Sequence, residues 1–336
     1  MKVPSRIRLT FYFLAFAGAA LFVGLLIREG APQVGKAIAS AGWAILAVIA
    51  YHLCVPVFLD ALAWWVLFPK IDRPPLPRIF WMRWIGESVS TLVPSAAVGG
   101  DIVRARMAAI HGAPVPIAAG TVLVDLTLGV FTQAAFTLLG VVLLVEATGQ
   151  RNFVGPTILG TLVGVAAVSG FYFVQRLGMF GFLARMIGKL ANSPEWQSLV
   201  QSGETFDQTL RALYARRRAL VGCCAWTILS LILNSGEIWI ALHALNLNAS
   251  VINAVILQST ILTVRNVGFA IPSGLGVQEG GYVLIGNLLG IDGTSALALS
   301  LIARVRELGL GIPGVVTWQV IEGRRLLQAR AEAASP

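Results

Sequence analysis

Two polar, glycine-rich breaks interrupt apolar, membrane-type stretches of this 336-residue chain. The first reads Val93-Pro94-Ser95-Ala96-Ala97-Val98-Gly99-Gly100-Asp101, the second Ile271-Pro272-Ser273-Gly274-Leu275-Gly276-Val277-Gln278-Glu279. In each, a Pro-Ser pair is followed by small and apolar residues, and an acid stands seven positions after the proline. Backbone broken inside hydrocarbon has no water to satisfy its N–H and C=O groups, so such a break persists only where it lines a protein cavity. Paired interruptions in corresponding places of two halves point to a transporter-like binding site.

The composition supports the membrane reading. Hydrophobic residues make up 57% of the chain and charged residues 12%, against roughly 25% charged in a soluble domain. The net charge of +9 is spread over short loops. That pattern fits topology and contact with anionic lipid headgroups, and excludes nucleic acid as a partner. Cys54, Cys223 and Cys224 lie in apolar segments without disulfide or metal spacing, and the histidines are scattered. Neither a metal nor a cofactor is expected.

The fold expected is an all-α polytopic membrane protein with about six full spans plus two opposed re-entrant hairpins. Lys2, Arg6 and Arg8 precede the apolar run Leu9–Ile27, which reads as a retained signal anchor (1–30) with a cytoplasmic N-terminus. Further spans are expected over Trp43–Phe68, Ile117–Val145, Val154–Val174, Leu220–Leu245 and Ser295–Val320. Trp64 and Trp65 stand where an aromatic belt would lie. Ile79–Val93 would reach only ~22 Å as a helix, against roughly 30 Å of hydrocarbon. Basic residues flank it and its continuation (Arg78, Arg83; Arg104, Arg106). It reads as one arm of a hairpin entering from the cytoplasmic side, or as the first of two short spans of the same parity. Val251–Ala270 and Leu275–Gly290 make the second hairpin, from the outer side. Segments 43–145 and 220–320 would then form an inverted repeat. Between them, 146–219 carries a connecting span and a basic amphipathic cytoplasmic segment, Arg176 to Arg218. Residues 321–336 form a basic cytoplasmic tail.

Ionisable residues inside a membrane cost roughly 2.5–3.5 kcal/mol each at a helix centre and need a partner, a wet cavity or a role. In the first half these are Glu87, Asp101, Arg104, Arg106 and Asp125; in the second, Glu237, Arg265, Glu279, Arg304, Arg306 and Glu307. Glu87 lies seven residues before Pro94 and Arg265 seven before Pro272. They read either as a charged lining for a headgroup or as a structural ion pair. Asp101 and Glu279 fall where helices begin, and either cap them or meet substrate or a coupling proton. Arg104 is placed to pair with Asp101 at i,i+3. Asp125 is a lone acid deep in a span. Of the adjacent Arg306 and Glu307, at least one should face a cavity. His52, Asp60, Gln133 and His243 read as satisfied polar contacts. The expected substrate-binding and translocation set is Glu87, Pro94, Ser95, Gly99, Gly100, Asp101, Asp125, Arg265, Pro272, Ser273, Gly276, Glu279, Arg306 and Glu307. No catalytic residue is expected, because no nucleophile–base constellation stands out.

Several stretches carry a family resemblance. They are Gly42-Trp43, Arg83-Trp84-Ile85, Leu92-Val93-Pro94, Val98-Gly99-Gly100-Asp101, Val124-Asp125-Leu126-Thr127, Gly268-Phe269, Gly274-Leu275-Gly276-Val277-Gln278-Glu279-Gly280-Gly281, Ala298-Leu299-Ser300-Leu301, Arg306-Glu307-Leu308 and Glu322-Gly323-Arg324-Arg325-Leu326. The chain resembles the flippase-like membrane domain of lysylphosphatidylglycerol synthases, in stand-alone form, and most resembles the hopanoid-associated branch. It departs from the broad family where an acid–arginine pair is usual, since Leu126 follows Asp125. The resemblance implies a bacterial inner-membrane protein that moves or binds polar lipids, with a hopanoid-type lipid as the implied cargo. The basic residues near both ends put both termini in the cytoplasm. The function expected is translocation of such a lipid. Its implied partners are membrane lipids, anionic or hopanoid, and lipid-biosynthesis enzymes. An alternative is a membrane component or scaffold of a hopanoid-biosynthesis or headgroup-modifying system.

Overall fold

The computed structural model describes residues 21, 23–93, 99–149, 154–180, 182, 194–248, 250–267 and 274–333. Most of the expected first span, and Pro94, Ser95, Pro272 and Ser273 of the breaks, lie outside the described residues.

The described chain is helical. In order come α1 (Ala31–Ala41), α2 (Ala44–His52), α3 (Phe58–Leu67), α4 (Leu76–Leu92), α5 (Gly99–Ile110), α6 (Val115–Thr148) and α7 (Val154–Arg176). They are followed by α8 (Pro194–Ala215), α9 (Arg217–Ala244), α10 (Val251–Val267), α11 (Val277–Leu288) and α12 (Gly293–Ala333). Among the described residues, four stretches are long and apolar enough to cross a membrane: Ala44–Leu67, Val115–Thr148, Ile158–Arg176 and Arg217–Ala244. These fall on four of the expected spans, and the protein is an all-α polytopic membrane protein. The helix expected over Ser295–Val320 continues without a break through Arg324 and Arg325 to Ala333. The tail expected to begin at 321 is therefore helical where described. Leu, Gln, Arg, Ala and Glu after Gly323 all favour helix, and nothing there stops it.

The apolar run Ala44–Leu67 holds a feature its hydropathy hides. A π-helical turn, Leu53–Val57, separates α2 from α3 and contains Pro56. Proline has no N–H to donate, and a wider turn tolerates the missing bond.

The chain divides into two compact units. One comprises Met1–Cys54, Trp81–Arg104 and Asn234–Pro336; the other comprises Val55–Phe80 and Ala105–Leu233. Each unit draws on both segments of the expected repeat. Of the helices next to the breaks, most of α4, the first half of α5, and α10 and α11 fall in the first unit.

In the first unit α12 packs against α1, α2 and α11, and α10 against α11. Small residues set these approaches. A Cβ on Gly281 would press on Ile261 and Val264 at 3.1 Å, and one on Gly100 would run into the Gly86 carbonyl oxygen.

In the second unit α6 packs against α3, α7 and α8. Trp64, expected in an aromatic belt, is fully buried and donates its indole N–H to Thr121 Oγ1 at 3.2 Å. An indole N–H taken out of water needs a partner, and the Thr121 hydroxyl supplies it. Trp65 instead carries the Arg73 guanidinium over its ring at 4.2 Å. The amphipathic α8 buries Leu210, Leu213 and Tyr214, so its apolar stripe packs on α6 instead of lying open. Burial pushes the Tyr214 phenol above its ordinary range, and its O–H donates to Gln175 Oε1 at 2.8 Å.

Candidate functional site: a charged cavity in the first unit

Each helix around the cavity presents polar side chains at helical spacing on an otherwise apolar surface. Glu87 and Thr91 stand four apart on α4; Asn234 and Glu237 three apart on α9; Gln258 and Arg265 seven apart on α10; Gln278 and Tyr282 four apart on α11. Such spacings put side chains on one face. Joined by His52 of α2 and Arg306 of α12, these faces enclose a cavity of about 240 Å3 within the first unit. A volume of that order accommodates a polar headgroup with its water and is below the usual ~300–1,000 Å3 of small-molecule pockets.

Two charged chains build the wall. In the first, His52 Nε2 lies 2.9 Å from Glu87 Oε1 and Nδ1 lies 2.7 Å from Glu237 Oε2. Glu237 Oε1 then accepts a bond from Arg306 Nη2 at 3.2 Å. In the second, Arg265 Nη1 donates to Glu307 Oε1 at 2.8 Å and Arg304 Nη1 donates to Glu307 Oε2 at 3.0 Å. Arg304 Nε also donates to Glu279 Oε1 at 2.9 Å.

Exposure separates wall from opening. The side chains of Glu237, Glu307 and Glu279 are at most 5% exposed, whereas Glu87 and Arg265 are each 32% exposed. Both line the cavity and are its more exposed carboxylate and guanidinium, beside the buried Glu237 and Arg306. Three buried polar atoms of lining residues have no hydrogen-bond partner among the described residues: Arg306 Nε, Gln278 Oε1 and Asn234 Oδ1. Burying such atoms unpaired costs about 1–3 kcal/mol each. Their arrangement asks for a guest with both acceptors and donors.

The remaining expected site residues take other places. Glu279 is fully buried and accepts the Gly276 N–H at 2.6 Å, which caps α11 as its position suggests. Gly276 itself has φ 77°, a conformation that favours glycine. Asp101 accepts from Arg104 Nε at 2.9 Å within α5, beside Gly99 and Gly100. Glu307 is buried beneath Arg265. Asp125 lies in the second unit, where Cys223 Sγ approaches its Oδ1 at 3.7 Å. Among the described residues, no group of three His, Cys, Asp or Glu side chains is placed to hold a metal ion.

Sequence reasoning read His52 as a satisfied polar contact, and left Gln278, Asn234 and Tyr282 out of the site. His52 is satisfied, but by two carboxylates that belong to the cavity. The signal was the polar spacing itself: pairs three or four apart on α4, α9 and α11, all in apolar helices.

The sequence family of the lysylphosphatidylglycerol synthase TM region matches residues 12–314. The chain belongs to that family. No curated protein matches the chain. Members of the lysylphosphatidylglycerol synthase TM family are tied to lipid modification or transport, and this member is a multi-pass membrane protein.

Proposed function

We propose that the protein is a flippase-like transporter, without enzymatic activity of its own, that takes the polar headgroup of a lipid into the charged cavity and carries it between leaflets. One observation carries this reading. Helices next to both breaks, together with α2, α9 and α12, bring ionised and unpaired polar side chains to one cavity inside a membrane protein. Charged groups in that setting mark substrate or ion pathways. A bacterial inner membrane, cytoplasmic termini and a polar or hopanoid-type lipid complete the proposal, supported by basic residues at both ends of the chain and by the family resemblance. The inverted repeat belongs to the same proposal.

Leaflet-resolved lipidomics of cells with and without the protein tests it. A lipid that shifts between leaflets on deletion, restored by wild type and by neither Arg265→Ala nor Glu87→Gln, supports transport through the cavity. An unchanged distribution with a missing modified lipid would replace transport by headgroup modification.

A further inference from the structure

The sharpest chemical constraint in the cavity is the imidazole of His52 between two carboxylates. A neutral imidazole has one N–H donor and one lone pair. Facing Glu87 Oε1 at 2.9 Å and Glu237 Oε2 at 2.7 Å, a neutral ring would set its lone pair against a carboxylate oxygen. Donation at both nitrogens requires one further proton on the Glu87–His52–Glu237 bridge. The groups around that bridge are fixed by their helices. Tyr51 neighbours His52 on α2; Arg83 stands one turn before Glu87 on α4; Arg306 and Glu307 come from α12, Tyr282 from α11 and Arg265 from α10. The Glu87 end of the bridge is the more open to the cavity, its side chain 32% exposed against 5% for Glu237.

We infer that the cavity is an exchange site in which the ammonium group of an amine-bearing headgroup and the extra proton on this bridge compete for Glu87. When the ammonium enters, its N–H groups donate to the Glu87 carboxylate in place of His52 Nε2–H. The Nε2 proton leaves to water, and the neutral ring keeps its Nδ1–H on Glu237. The ammonium replaces the charge of the departing proton, and the one negative charge that the headgroup adds is its phosphate. The anionic part of the same headgroup, a phosphate, meets Arg265 and the unpartnered Arg306 Nε. This inference rests on the headgroup-binding reading of the same cavity and adds its ligand class and its coupling ion.

The test uses the full-length protein in maltoside micelles. Dihexanoyl phosphatidylethanolamine is titrated calorimetrically at neutral pH in buffers of different ionisation enthalpy. The expected result is about one proton released per lipid bound, with Kd falling about tenfold for each unit rise in pH while the free bridge holds its proton. His52→Gln should abolish the release. Should that variant fail to fold, the wild-type proton count and pH slope decide alone.

Binding of the wild type with no proton release and no pH slope overturns the exchange and leaves the headgroup reading standing. Equal affinity for dihexanoyl phosphatidylglycerol, which lacks the amine, overturns the ammonium assignment. Failure of both lipids to bind overturns the headgroup reading and the exchange with it. Equal binding of phosphoethanolamine without acyl chains keeps the exchange and removes the lipid from it.

Discussion

The first unit buries carboxylates and guanidiniums together in connected chains, whereas the second buries mainly neutral polar groups, with the acids Asp125 and Asp207 among them. In the first, Glu237, Glu279, Arg306 and Glu307 are all at most 8% exposed and are held in chains of charged hydrogen bonds. In the second, the contacts of Trp64 to Thr121, Tyr214 to Gln175 and Ser230 to the Pro56 carbonyl join uncharged groups, and the buried Asp207 accepts from the Phe180 backbone N–H at 3.2 Å. A neutral hydrogen bond holds helices together in lipid at modest cost, and transmembrane examples average about 0.6 kcal/mol. A buried ion pair adds little net stability over an apolar pair, because desolvation offsets the attraction. The second unit thus packs its helices largely through neutral contacts. The ion chains of the first unit exceed what such packing needs.

The comparison can be broken most forcefully at Arg306. Arg306→Leu strips Glu237 of its guanidinium and should cost about 3–5 kcal/mol, read as a large fall in the thermal midpoint in detergent. Adding Glu237→Leu should recover part of that midpoint while abolishing phosphatidylethanolamine binding. If the double variant is no more stable than the single one, the ion pair was not the source of the loss.

Next comes Gly100→Ala, which sets a Cβ against the backbone carbonyl of Gly86 and should cost about 1–3 kcal/mol as overpacking. In the second unit Gly120→Ala meets the flexible end of Leu213 at 3.0 Å and should shift the midpoint less. Equal effects would remove this contrast between the units. Tyr214→Phe deletes the neutral hydroxyl that meets Gln175 at 2.8 Å and Thr127 at 3.3 Å and should cost about 1 kcal/mol, with headgroup binding unchanged. Trp64→Phe should be of the same order or smaller, since its bond to Thr121 is longer at 3.2 Å.

Much of the fold was legible because a membrane imposes length. An apolar stretch such as Val115–Thr148 or Arg217–Ala244 has few alternatives to a spanning helix. The π turn at Leu53–Val57 was not legible, because a window of hydropathy averages over Pro56. Trp64 was misread because an aromatic near a span end looks alike whether it faces headgroups or Thr121. The site divided similarly. Glu87, Arg265 and Arg306 stood out as charges in apolar sequence and all line the cavity. Asp125 stood out equally and lies in the other unit, since depth in a span does not say which way a side chain turns. His52 was hidden because its meaning depends on Glu237, 185 positions away.

One further consequence comes from the glycines of α12. A Cβ on Gly311 would collide with Leu92, and one on Gly314 with Ser88, whose hydroxyl also donates to the Leu310 carbonyl at 3.3 Å. Helix α4 therefore rides on bare backbone of α12, and this contact acts as a gauge block between the walls that carry Glu87 and Arg306. The two walls thus meet where side chains are missing, at residues that do not line the cavity. Tuning which guests fit would then begin at Gly311 and Gly314, with every charged residue left in place.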